Sequence, residues 1–166
     1  MSIPVLVARA VFPQTLERLR ASFDVRHNAD DTVMTQDQLI EALQGRQGLL
    51  ATGSEKVDKR LLDACPKLRV VANMAVGYNN IDIPACTERG VLATNTPDVL
   101  TETTADFGFA LLLATARRIA EAEHYLRRGE WKKWSYDMFT GSDVHGATLG
   151  ILGMGRIGQG IARRAA

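Results

Sequence analysis

Two short stretches of this chain have residue types and spacing that could do chemistry. The first is Gly153-Met154-Gly155-Arg156-Ile157-Gly158, with an apolar run at 147–152 before it and helix-forming residues after it. Glycines at this spacing suit a phosphate site. Gly153 permits a tight turn after a strand, Gly155 lets backbone approach a pyrophosphate, and Gly158 lets the following helix pack against the strand. The free N–H groups and partial positive charge of that helix N-terminus would hold the phosphates. The same glycines also suit a sharp strand-to-helix turn with no ligand, and the residues alone leave both readings open. The second stretch is Val76-Gly77-Tyr78, where an apolar strand ends. Ligands of open parallel sheets bind just beyond the carboxyl ends of strands. Gly77 either presents backbone N–H groups to a small carboxylate or simply turns the chain.

Other reactive residue types are scarce. His27, His124 and His145 have neither metal-ligand spacing nor a recognisable carboxylate partner, so they read as packing or surface residues. Ser54, in TGSEKVDKR, borders the region beyond the third strand but has no base within sequence reach; it reads as turn chemistry. Cys65 and Cys86 are two thiols in a chain otherwise unlike a disulfide scaffold, and both are expected to be reduced.

Strands and helices must alternate to position these stretches. PVLVA, GLLAT, LRVVANM and VLATN are short apolar runs of the kind buried on both faces of a sheet, and DVRHN is a weaker strand. Helices are expected between them. One covers PQTLERLRASF, with Leu16, Leu19 and Phe23 at helical spacing. TQDQLIEALQG opens on a Thr35/Gln38 capping box and stops at Gly45. VDKRLLDACP and IDIPACTERG give two shorter helices. Five strands alternating with helices imply a parallel α/β sheet covered on both sides. Beyond Asn95–Asp98 turn chemistry the character changes. A long helix is expected over 103–128, capped by Thr103 with Asp106 and stopped by Gly129. Its first half is apolar almost all round and should be buried. EWKKWSYDMFTGSDVHG reads as a polar, irregular segment whose aromatics need something to pack against. A sixth strand is expected at 147–152. A domain boundary falls near Leu100.

Composition limits the function classes. With 46% hydrophobic residues, the 166-residue chain can bury a sizeable core, as one domain or one and a part. Net charge is +1, so nothing suggests nucleic acid as a partner. The basic residues at Arg117, Arg118, Arg127, Arg128, Lys132 and Lys133 read as a solvated helix face. No basic-then-apolar leader opens the chain, and its longest apolar stretch, 107–114, is too short to span a bilayer. A cytoplasmic enzyme or enzyme fragment is expected, without a membrane partner.

VGYNNIDIPACTERGVLATNTPDVLTETTADFGFALLLATARR, followed by GATLGILGMGRIGQGIARR, resembles the D-isomer-specific 2-hydroxyacid dehydrogenase family, in the branch of glyoxylate, hydroxypyruvate and 2-ketogluconate reductases. The resemblance covers essentially the whole chain and is strongest over 68–118 and 146–166. It implies a flavodoxin-like parallel-sheet substrate domain over 1–100, lacking a C-terminal return segment. Residues 101–166 would be an interdomain helix, a dimer arm and the start of a Rossmann domain that binds NAD or NADP. By the same resemblance, Val76 and Gly77 would face the carboxylate of a small 2-keto or 2-hydroxy acid. Thr104 would lie near the nicotinamide, and Gly153, Gly155, Arg156, Ile157 and Gly158 would form the pyrophosphate turn. Asn79 stands where relatives often have Asp. The family's catalytic Arg, Glu and His lie beyond the last residue, so no catalytic residue is assigned. The chain alone is expected to be inactive, to bind cofactor weakly and to associate as a homodimer.

Two rival readings remain. One is a non-catalytic flavodoxin-like module for a ligand or protein; an acidic pocket at the strand ends would favour it, and VARAVF carries no Asp pair. The other is a chain that only associates with a partner through its apolar helix and aromatic arm.

Overall fold

The computed structural model describes residues 2–166. The chain divides into two compact units, Met1–Val99 and Leu100–Ala166.

The first unit is built on β1 (Ile3–Val7), β2 (Phe23–His27), β3 (Gly48–Ala51), β4 (Val70–Asn73) and β5 (Leu92–Thr94). All pairings are parallel, in the order β2-β1-β3-β4-β5. This is the doubly wound order of flavodoxin-like folds. The helices between strands are α1 (Pro13–Arg20), α2 (Gln36–Leu43), α3 (Lys59–Ala64) and α4 (Ile83–Glu88). Each start has a local cause. Pro13 sits in the first turn of α1. Thr35 and Gln38 complete the expected capping box on α2. Asp58 and Asp82 accept backbone N–H bonds at the starts of α3 and α4.

The helix expected over PQTLERLRASF is shorter than its apolar spacing suggests. It ends at Arg20, and Phe23 opens β2 opposite Ile3. Ladder pairing with β1 outweighs the helical period at that residue.

The register explains the core. Leu6, Leu49, Val71 and Ala93 lie in one row across β1, β3, β4 and β5. The first three are fully buried in one cluster with Leu39 and Leu43 of α2, Leu61 and Leu62 of α3, and Cys86 of α4. Each buried Leu contributes about 2 kcal/mol of apolar transfer. On the other face, Val5, Gly48, Val70 and Leu92 form the matching row. With Leu19 of α1 and Phe23, the first three line an apolar concavity. Leu92 is 71% exposed, so this face is only partly covered within the unit.

The second unit holds α5 (Thr101–Ala116), α6 (Ile119–Arg127) and α7 (Arg156–Ala165). Here the sequence expectation needs four corrections. The single helix over 103–128 is two helices. Arg118 adopts a left-handed conformation, φ 54°, and separates them. In an unbroken helix the Ala116 carbonyl would accept from residue 120; instead it accepts from the N–H of Ser142 at 2.8 Å. The loop that brings Ser142 there packs Phe139 edge-on against Tyr125 and under the Arg118 guanidinium.

The helix also starts earlier than the Thr103 cap predicts. Leu100 is the N-cap, and Thr103 lies in the first turn with its hydroxyl donating to Leu100 O. Nor is the first half of α5 buried within its unit. Ala105 alone is buried, while Phe107 is 64% exposed, because the helix has a close neighbour only on the face that meets α7.

The fourth correction concerns 147–152. These residues form no strand. A strand is defined by its ladder, and no described residue pairs with this run.

Candidate substrate and nucleotide sites

Each unit carries one candidate site. In the first unit the site lies beyond the carboxyl ends of β1, β3 and β4. Residues 75–78 leave β4 with every carbonyl engaged. Ala75 O accepts from Thr96 N–H, and Val76 O from Asn95 Nδ2 at 2.8 Å. Gly77 O accepts from Asn73 Nδ2 at 2.9 Å, and Tyr78 O from Ile81 N–H. The N–H groups of Val76 and Gly77 have no acceptor among the described residues. A Cβ built on Gly77 would meet nothing within 4 Å, and its φ is not left-handed. Neither packing nor backbone strain therefore requires glycine there. The loop pins its acceptors inward and leaves two adjacent donors beside open space, an arrangement suited to a carboxylate.

The loop after β3 lies alongside. Glu55, 4% exposed, accepts from Thr52 N–H at 2.6 Å, from Thr52 Oγ1 and from Ser54 Oγ. Ser54 Oγ also accepts from Arg9 Nη1. It is a link in a loop network, in agreement with its reading as turn chemistry. Arg9 grips Asp31 through Nε and Nη2, and this ion pair, with a hydrogen bond from Ala10 N–H, holds the Asp31 carboxyl below the usual range. Asn80 joins the loops, its Nδ2 donating to Thr52 O and Glu55 O, both at 2.9 Å.

Sequence reasoning singled out Val76 and Gly77 because a strand end marks them. It missed Arg9, Glu55, Asn73 and Asn80. Their partners lie in other loops, and nothing in their spacing signals the meeting.

In the second unit the site is the turn into α7, where the three glycines differ physically. Gly153 has φ +98°, a conformation that side chains resist. Gly158 is fixed by packing, since a Cβ there would lie 2.1 Å from Gly153 O. Gly155, the N-cap of α7, has ordinary backbone angles, and its Cβ would meet nothing. As at Gly77, the protein leaves that space open. The first-turn N–H groups of a helix, here including Ile157 and Gly158, have no intrahelical acceptor. The pattern fits a bound phosphate group.

Helix α7 is held on α5. A Cβ at Gly160 would stand 2.8 Å from Ala105 Cβ, and one at Gly108 would stand 3.1 Å from Ile161. Arg164 binds Asp106 and Glu102, and Arg163 binds Glu102. Thr104 lies in the first turn of α5, half-buried.

The histidines lie elsewhere. His27 ends β2 with Nε2 buried and without a hydrogen-bond partner; His124 is on α6, and His145 lies in the irregular segment. Cys65 and Cys86 are buried thiols, and burial pushes both pKa values up. Among the described residues no group of three or more His, Cys, Asp or Glu could hold a metal ion, and no helix is long and apolar enough to cross a membrane.

Comparison with known proteins identifies the family. Residues 5–150 match the catalytic domain of D-isomer specific 2-hydroxyacid dehydrogenases. The chain belongs to that family. Among its relatives, the glyoxylate reductase of Thermococcus kodakarensis is 47% identical over 165 residues, covering 97% of this chain and 50% of that enzyme. Among solved structures, the TT0316 protein of Thermus thermophilus superimposes with a TM-score of 0.91 at 40% identity, over 98% of this chain and 52% of that one. The NADPH-dependent glyoxylate/hydroxypyruvate reductase of Sinorhizobium meliloti, in complex with NADP and malonate, gives 0.74 at 35% identity, over 99% and 50%. The chain spans about half the length of the curated relatives it matches.

Proposed function

We propose that the chain carries the substrate cradle and the opening of the nucleotide site of an NAD- or NADP-dependent reductase that acts on a small 2-keto acid such as glyoxylate or hydroxypyruvate. The observation that carries this reading is the loop at 75–78, with four consecutive carbonyls engaged and the N–H groups of Val76 and Gly77 left for an anion. A 2-keto acid has one carboxylate to fix and one neighbouring carbonyl to reduce. Two backbone donors in a row hold the first and so orient the second. The relatives' names support this: glyoxylate reductases, and a reductase crystallised with NADP and a small dicarboxylate.

In this reading residues 1–100 form the substrate domain. Residues 101–166 are an interdomain helix, an arm and the first part of the nucleotide domain. The N–H groups of Arg156, Ile157 and Gly158 would hold the pyrophosphate, with Gly153 shaping the turn, Gly155 leaving room for it, and Thr104 near the nicotinamide end. A bound nicotinamide supplies the hydride. Neither site contains an imidazole, so this chain by itself binds and orients without moving a proton, and glyoxylate turnover by the purified chain is expected to stay at trace level. The protein reads as a cytoplasmic homodimer.

Titration of the 15N-labelled chain with oxalate, an unreactive keto-acid mimic, tests the reading. The Val76 and Gly77 amides should shift saturably, and Gly77→Ala should weaken the effect. Absence of any saturable shift at these two amides would overturn it.

A further inference from the structure

Asn80 stands outside the pair of donors and ties their loop to the loop after β3. Its side-chain amide has two N–H groups, and each has a carbonyl 2.9 Å away, Thr52 O and Glu55 O. It belongs to the loop after β4, whereas both acceptors belong to the loop after β3. Backbone bonds run beside this tie. Val57 N–H donates to Asn80 O, and Asp82 N–H donates to Val57 O, both at 2.8 Å. Asn73, 2% exposed, completes the chain. Its amide lies 3.4 Å from that of Asn80 and donates to Gly77 O. The Gly77 carbonyl is thus connected, through two asparagine amides, to a loop whose own shape is fixed by the buried Glu55 carboxylate. Asn79, the next residue, is exposed and makes no such bond.

We propose that Asn80 is a positioning residue, which sets the Val76 and Gly77 N–H groups for a substrate carboxylate by clamping the loop after β4 to the loop after β3. The inference rests on the carboxylate reading of that loop. Donors fixed before binding avoid the ordering cost that a mobile loop carries into the complex. Only an amide does this here. An Asp side chain of the same shape has no N–H and would set a carboxylate oxygen against two carbonyl oxygens.

The test compares oxalate binding by the labelled wild-type chain, Asn80→Ala, Asn80→Asp and Asn79→Ala. For both Asn80 variants the dissociation constant should rise about tenfold or more. The Gly77, Thr52 and Glu55 amides should move together, while the core amides of Leu49 and Val71 keep their positions. Asn79→Ala should bind as wild type does. Should Asn80→Ala fail to fold, the isosteric Asn80→Asp carries the comparison, and hydrogen exchange at the Val57 amide, which donates to Asn80 O, gives a second measure that should accelerate in either variant. Equal affinity in wild type and Asn80 variants would overturn the positioning role while leaving the carboxylate reading intact. No oxalate shift at Val76 and Gly77 in wild type would remove both.

Discussion

Glycines in the two candidate sites answer to different constraints, and substitution separates them. Gly77→Ala places its methyl in open space at an unstrained backbone position. Thermal unfolding should place its stability within about 0.5 kcal/mol of wild type, while oxalate affinity falls. Gly158→Ala places the same methyl 2.1 Å from Gly153 O. It should cost about 1–3 kcal/mol, because the turn has to open. Equal losses at the two positions would mean that Gly77 is structural after all. Charge at the rim gives a further expectation. Arg9 holds the Asp31 carboxyl below its usual range, and Arg89 does the same for Asp63 with help from Lys59. A depressed folded-state value favours the folded state above the unfolded aspartate pKa of about 4. That contribution is lost as pH falls through the folded value. Urea midpoints should therefore drop below about pH 4, and Asp31→Asn with Asp63→Asn should flatten the drop while lowering the midpoint at pH 7. The glycine positions were legible because a strand end and a fixed spacing mark them. Asn80 and Glu55 were not, because the Asn80 amide meets a carbonyl 28 residues away.

Elements were legible where their cause is local and misread where it is tertiary. Apolar runs located four of the five strands of the first unit, and Thr35 with Gln38 located the start of α2. The run at 147–152 has the same apolar character but no ladder partner, and periodicity does not report partners. The α5–α6 break was invisible for a related reason. Residues 103–128 read as one helix by composition, yet the Ala116 carbonyl is taken by Ser142, and Arg118 turns left-handed under Phe139. The α5–α7 contact has a sequence signal only in hindsight, in the small residues Ala105, Gly108 and Gly160. With its Cβ 2.8 Å from Ala105, Gly160 sets how closely α7 approaches. Gly160→Leu should force the helices apart and destabilise the second unit by about 1–3 kcal/mol or more. Proteolysis should then cut first between α6 and α7. If Gly160→Leu unfolds at the wild-type temperature, the small-residue contact does not hold α7 in place.

At the scale of the whole molecule, the question is what covers the apolar surface that each unit leaves open. The second unit has more of it, and the side chains are large. Phe107 and Leu111 project from α5, and Trp131 and Trp134 from the segment after α6, with Trp134 76% exposed. Phe139 does not belong with them, since Tyr125 and Arg118 already pack on its ring. Burying apolar area is worth about 25 cal/mol per Å². Several exposed large apolar side chains thus favour a second copy of the chain. Part of the charge nearby is neutralised in ion pairs: Arg118 with Glu121, Arg127 with Glu123, and Arg128 with Glu130. The expectation is a dimer or larger particle at micromolar concentration, with contacts centred on residues 101–140. Sedimentation velocity should report more than one chain per particle. Changing Trp131 and Trp134 together to Ser should shift the distribution toward monomer. The open row of the five-stranded sheet offers a competing surface, and Leu92→Lys separates the two. If Leu92→Lys yields monomer and the double Trp variant does not, the chains meet through the sheet. A monomer in the unmodified chain would mean that neither surface binds a second copy.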